Sequence, residues 1–183
     1  MKTNLRPHGA AATRALAAGS LLAAVTFSAC SKPPPTEAAP VASKAFDELF
    51  PVRVGSQTVR VQVALLDFEV MQGLMFRQSL PPDVGMVFVF SRPQPQEFWM
   101  RNVTLPLDIG FFDQHGELKE VSQMYPRDER RVKSHSREIQ FCLEMNQGWF
   151  ARAGVKPGDR LDLTAISAAI RARGFKPEAA GLP

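Results

Sequence analysis

The chain has 183 residues, 45% hydrophobic and 22% charged, which is enough apolar matter for one ordinary domain with appendages and too much for a chain that stays unfolded. Its net charge of +4 points to an anionic partner, but residues 1–29 hold Lys2, Arg6 and Arg14 and no acid, and removing these three cations leaves +1 for the rest. That excess is far below what a nucleic-acid binder concentrates on one face, so nucleic acid is set aside as a partner.

Lys2, Arg6 and Arg14 form a positive n-region, and Ala15 to Phe27 an apolar core too short to span a bilayer as a stable helix. The core ends at Phe27-Ser28-Ala29-Cys30. This resembles the bacterial lipobox, in which a Cys after small residues is diacylated on its thiol and becomes the new N-terminus; a plain secretory signal cut nearby is the alternative. Residues 1–29 are thus expected to be a lipoprotein signal peptide and Cys30 the lipidated residue. Ser31 follows, and by the same resemblance a residue other than Asp there favours the outer membrane, on the periplasmic side of the envelope. Two or three acyl chains anchor durably, at roughly 0.8 kcal/mol per buried methylene. With Cys30 acylated, Cys142 is left without a disulfide partner, and its apolar neighbours mark it as a small core residue.

Residues 30–45 carry Pro33, Pro34, Pro35 and Pro40 and read as an extended tether. The domain proper is expected over 46–164. Val59, Val61 and Val63 alternate with polar residues as a strand, and Asp67 is an N-cap for a helix whose stripe is Val70, Met71, Leu74 and Met75. Gly85 to Phe90 is a fully apolar strand, and Asp113-Gln114-His115-Gly116 a hairpin turn with Gly at a position needing positive φ. Glu138 to Asn146 is a strand, Gln147 to Ala153 a helix ending at Gly154, and Arg160 to Leu163 a last strand. Residues 165–183 read as a flexible tail. The pattern predicts a mainly β fold, a compact antiparallel barrel or sandwich with two short helices, and a monomer.

The central stretch runs from Glu97 to Phe112. Alternation sets Phe98 and Met100 on one face, with Glu97, Trp99 and Arg101 on the other. Past Pro106, Leu107, Ile109 and Phe111 share a face, and Asp108, Gly110 and Phe112 the opposite one. A carboxylate inside so apolar a strand is the oddest residue in the chain.

Gly73-Leu74-Met75-Phe76-Arg77, Gly85-Met86-Val87-Phe88-Val89-Phe90, Phe98-Trp99-Met100-Arg101-Asn102, Pro106-Leu107-Asp108-Ile109, and Leu143-Glu144 with Gly148-Trp149-Phe150 follow one another along the chain. In that order they resemble the family called domain of unknown function 192, over roughly Thr58 to Leu163. The resemblance implies a compact β-rich domain, often secreted or lipid-anchored, with no established activity. The chain departs from it at Val103, where the family commonly has Thr, and in the charged loop Arg127 to His135.

Buried and unpaired, Asp108 would cost several kcal/mol, so it needs a cation, backbone N–H donors or a wet pocket. Arg77 is the first candidate partner and Arg101 the second. The two readings are a structural, turn-capping or ion-paired Asp, and the polar floor of a ligand pocket. Trp99 between Glu97 and Arg101 is either a plate on which a small molecule or glycan ring stacks, or a second core layer. Asn102 either bonds a ligand or closes the turn. The expected site is therefore Arg77, Trp99, Arg101, Asn102 and Asp108, in a non-catalytic binding module without cofactor or metal. One rival is a hydrolase using Glu97 and Asp108 as an acid/base pair. Another is copper binding by thioethers drawn from Met71, Met75, Met86, Met100, Met124 and Met145.

Overall fold

The computed structural model describes residues 45–182, so the leader, Cys30 and most of the proline-rich tether lie outside the described residues. The described residues belong to one compact unit, Pro40–Pro183. In chain order the strands and helices are β1 (Phe50–Val54), β2 (Gln57–Ala64), α1 (Asp67–Gln72), β3 (Val84–Gln94), β4 (Glu97–Phe98), β5 (Leu107–Asp113) and β6 (Leu118–Met124). There follow β7 (Val132–Lys133), β8 (Ile139–Asn146), α2 (Trp149–Ala153), α3 (Leu163–Ala172) and a 3-10 turn (Pro177–Ala180).

The protein is mainly β, as expected. Six strands form one sheet in the order β1-β2-β3-β8-β5-β6, and β4 and β7 form a separate ribbon. The sheet is mixed: β2 and β3 run parallel, and every other neighbouring pair is antiparallel. This departs from the all-antiparallel barrel or sandwich read from the sequence. The cause is the connection over residues 65–83, which carries α1 and is long enough to return the chain to the same end of the sheet. Among the described residues β1 and β6 are not paired, so the ladder does not close. The expected last strand is reduced to two bridges, Val54 with Leu161 and Glu117 with Arg160.

Both faces of the sheet are buried, which is why β3, β5 and β8 read as nearly continuous apolar runs. One face packs Val87, Phe112, Phe141, Leu143 and Met145 against Trp149, Phe150, Ile166 and Ile170 of the helices. The other packs Met86, Phe88, Ile109, Phe111 and Cys142 against Leu74 of the crossover and Phe98, Met100 and Val103 of the 98–103 segment. Phe88, Phe111, Phe112 and Phe141 are fully buried, each worth roughly 1.5–3 kcal/mol over an exposed ring.

The tail is the clearest correction. Residues 163–182 are not loose: Asp162 caps α3 by accepting a bond from the Ala165 N–H (3.1 Å), and Ile166, Ala169 and Ile170 are buried. Those three sit at helical spacing, a signal hidden by the Ala- and Arg-rich composition around them. Arg173, at the end of α3, is buried with Glu69 of α1 and also donates to the Val63 carbonyl. Glu69 in turn accepts the N–H groups of Leu65 and Leu66 (2.8 and 3.1 Å), so Leu66, not Asp67, is the N-cap of α1. The helix is also shorter than its apolar stripe, because Gly73 turns the chain at a φ of 47°.

Candidate functional site

Trp99 leaves the β4–β7 ribbon with its ring half-buried, while its neighbours Phe98 and Met100 go into the core. Two guanidinium groups lie against the indole, Arg131 at 4.8 Å and Arg101 at 5.4 Å from the ring centre, a favourable cation–aromatic geometry. Asn102 is exposed with a left-handed φ of 57° and closes the turn after Met100. Its carbonyl accepts the N–H of Phe76 at 3.0 Å. Phe76 is itself left-handed (φ 63°), an uncommon conformation for a bulky residue, and its ring is 70% exposed.

Beside Trp99 opens a narrow cleft with a volume of about 30 Å³, walled by Leu74, Phe88, Phe98 and Val103 and reaching Glu144. That is room for one or two water molecules. Glu144 is 5% exposed and stands in β8 between Met86 of β3 and Ile109 of β5. Burial pushes its carboxyl up to about 8. At neutral pH it is a carboxylic acid, and its O–H is a hydrogen-bond donor facing the cleft.

The predicted residues do not meet in one place. Asp108 points to the opposite face of the sheet from the Trp99 cleft, because β5 alternates: Ile109 belongs to the cleft-side core and Phe112 to the helix-side core. Neither Arg77 nor Arg101 pairs with it. Asp108 accepts the N–H of Gly148 (2.8 Å) and lies in the field of Arg152. Burial raises its pKa, opposed by that hydrogen bond and that cation. It holds the left-handed Gly148 that opens α2 through Oδ2, as a turn-capping Asp does, while its Oδ1 is buried without a hydrogen-bond partner among the described residues. Next to it Gly110 admits the Phe150 ring so closely that a Cβ there would lie 2.6 Å from the ring edge. Arg77 instead donates to the Gln62 side chain, and Thr104 holds the Arg77 carbonyl through its hydroxyl (3.2 Å).

Glu97 and Asp108 also have separate surroundings. Glu97 is exposed on the ribbon, with Lys133 at 2.8 Å and Arg131 at 3.9 Å. The Lys133 hydrogen bond holds its carboxyl below the usual value. The methionines are dispersed: Met86, Met100 and Met124 are packed in the cleft-side core, Met145 in the other, and Met71 is 74% exposed. Cys142 is fully buried and its thiol is pushed well up by burial, as a core residue should be. Among the described residues no group of three His, Cys, Asp or Glu could hold a metal ion, and no helix is long and apolar enough to cross a membrane.

Sequence reasoning missed Glu144 as a site residue. The signal was the same one that singled out Asp108, an acid inside an apolar strand (Ile139 to Met145). It also put Met71 on the apolar stripe of the helix, although the short helix leaves that side chain in solvent.

Comparison with known proteins places this architecture. A Sinorhizobium meliloti 1021 protein described as a "putative transcription regulator" is 32% identical, with a TM-score of 0.61 over 66% of this chain and 97% of its own. A protein of unknown function from Novosphingobium aromaticivorans DSM 12444 is 34% identical, with a TM-score of 0.60 over 62% of this chain and 84% of its own. No curated protein matches the chain. Residues 50–163 match domain of unknown function 192, described as an uncharacterized ACR, and the chain belongs to that family.

Proposed function

We propose that this is a lipid-anchored protein of the cell envelope, held through Cys30 on the periplasmic side of the outer membrane, whose β-rich domain is a non-catalytic binding module. The observation that carries the binding reading is the cleft between Trp99 and Glu144. A half-buried indole beside a protonated buried acid takes an apolar group and offers one hydrogen bond at its end. Of the residues expected at the site, Trp99 and Arg101 stay with this cleft, Asn102 and Arg77 support its rim through the backbone, and Asp108 is structural. The separation of Glu97 from Asp108 speaks against the hydrolase, and the division of the methionines between two faces speaks against copper. With +1 left after the leader, the regulator description of the Sinorhizobium protein is not carried over. Within the same reading the sheet is an incomplete barrel, in which residues 160–161 bridge β1 at one edge to the turn before β6 at the other.

Two measurements test the two halves of this reading. Cys30→Ala should abolish labelling by palmitate; labelling that persists in this variant would contradict the anchor. In a Trp149→Phe background the only indole left is Trp99, and a screen of small amphiphiles should find compounds that shift its emission. Asp108→Asn should leave that binding intact, whereas binding that survives Glu144→Leu and vanishes with a folded Asp108→Asn would overturn the assignment.

A further inference from the structure

The rim of the Trp99 cleft carries a second feature that small-ligand binding does not use. Met71 (74% exposed), Phe76 (70%) and Phe68 (61%) stand out from α1 and the turn after it, and Tyr125 (54%) stands out from the neighbouring loop. These segments are joined: the Phe76 N–H bonds the Asn102 carbonyl, the Arg127 N–H the Val103 carbonyl, and the Met100 N–H the Asp128 carbonyl. Large apolar side chains gathered in this way on one end of a soluble domain mark a contact surface.

The charges at the same end have one net sign. In the charged loop Arg127 to His135 the acids are mostly neutralised within the chain. Asp128 is gripped by Arg130 at 2.6 Å, and Glu97 by Lys133 at 2.8 Å with Arg131 at 3.9 Å. Arg101, Arg127 and Arg131 are exposed beside the aromatic side chains, two of them against Trp99. Glu129 is the exposed acid of that loop outside these pairs, and Asp67 flanks Phe68. Guanidinium groups around protruding aromatic and thioether side chains are what an interfacial membrane contact requires.

We propose that this end of the domain docks on an anionic phospholipid surface, with Phe68, Met71 and Phe76 entering the headgroup boundary and Arg101, Arg127 and Arg131 on the phosphates. A bilayer is favoured over a protein partner because the apolar groups protrude, and the cleft beside Met71, of about 30 Å³, is too small to seat a partner's side-chain row. The left-handed backbone at Phe76 points the same way, since an aromatic ring is kept outward at a position that glycine would occupy without strain. The sixteen residue steps from Cys30 to Phe46 reach about 50 Å at the polyproline-like rise, so an anchored chain brings this end within reach of its own membrane. The contact does not require the anchor, and its test omits it.

The experiment uses the chain from Ser31 onward, which keeps the whole compact unit and cannot be acylated. It is sedimented with vesicles of phosphatidylcholine alone or with about one third phosphatidylglycerol. Partitioning should be about tenfold stronger on the anionic vesicles and should weaken with salt. Arg101→Gln with Arg131→Gln should remove the preference for phosphatidylglycerol. Phe76→Gly with Met71→Ser should lower binding about tenfold without lowering the melting temperature, because Gly relieves the strained φ. Equal sedimentation with both vesicles, or anionic binding untouched by Phe76→Gly with Met71→Ser, would overturn the proposal. So would binding to soluble polyglutamate as tight as to the vesicles. Palmitate labelling that persists in Cys30→Ala, the failure of the anchor, leaves this result unaffected, so the two failures are distinguishable.

Discussion

Two acids embedded in apolar strands have opposite roles, and the pairing of backbone donors decides which. Asp108 is supplied with an N–H by Gly148 and a nearby cation in Arg152, so it fixes a turn. Glu144 has two apolar neighbours, no donor among the described residues and an opening to the cleft, so it keeps its proton. The pH consequence follows from linkage. The folded carboxyl titrates at about 8 against an ordinary value of 4.5, so the folded state binds the extra proton between these two values. The stability it contributes is whole below about 4.5 and is lost as pH rises through about 8, at up to about 1.4 kcal/mol per pH unit. Thermal unfolding should therefore drop by several degrees between pH 6 and 9, and Glu144→Gln should flatten that slope. The carboxylates held low by their partners, such as Asp128 at about 2, act at lower pH and leave this window clear. A second residue-scale expectation concerns Gly110. Its missing Cβ admits Phe150, so Gly110→Ala should destabilise by about 1–3 kcal/mol in a denaturant titration through overpacking, with no effect on ligand binding at Trp99.

At the scale of elements, the sequence was most legible where one period ran without interruption. The alternation in β5 placed Leu107, Ile109 and Phe111 together and Asp108 opposite, and the Asp113–Gly116 turn formed with Gly116 at a φ of 73°. It was least legible where a long-range contact decides the outcome. Nothing near Asp108 in the sequence announces Gly148, forty positions on, and Arg77 was the wrong partner for that reason. The face of Trp99 was read correctly, but not that the same strand parity separates it from Asp108. The helix α3 was hidden because its stripe of Ile166, Ala169 and Ile170 is narrow, and because its end is secured by Arg173 on Glu69, a hundred residues earlier. Breaking that buried pair from one side should be severe: Arg173→Ala is expected to cost about 3–5 kcal/mol, seen as a lowered denaturant midpoint. Truncation before Leu163 should leave a chain that no longer unfolds cooperatively, because it strips the apolar cover from one face of the sheet.

On the scale of the whole molecule, the two faces of one sheet divide the labour. The helix-side face is closed by α2, α3 and the 3-10 turn, with an apolar pocket of about 230 Å³ at its edge between Val89, Ile170 and Ala180. The other is covered by the crossover after β2 and the 98–103 segment, with Phe46, Leu49 and Val132 beside them, and these leave the cleft, its exposed rim and its basic border. This division explains why motifs scattered along the chain, from Gly73–Arg77 through Phe98–Asn102 to Glu144, come together there. Binding at that cleft depends on Glu144 being a protonated acid open to it. The measurement that tests it most directly is a pH titration of the Glu144 side-chain carboxyl by carbon NMR in the folded protein, assigned by comparison with Glu144→Gln. A midpoint near 8 that moves when a compound shifts Trp99 emission is the expected result. A midpoint at the ordinary value of 4.5, indifferent to such compounds, would contradict it.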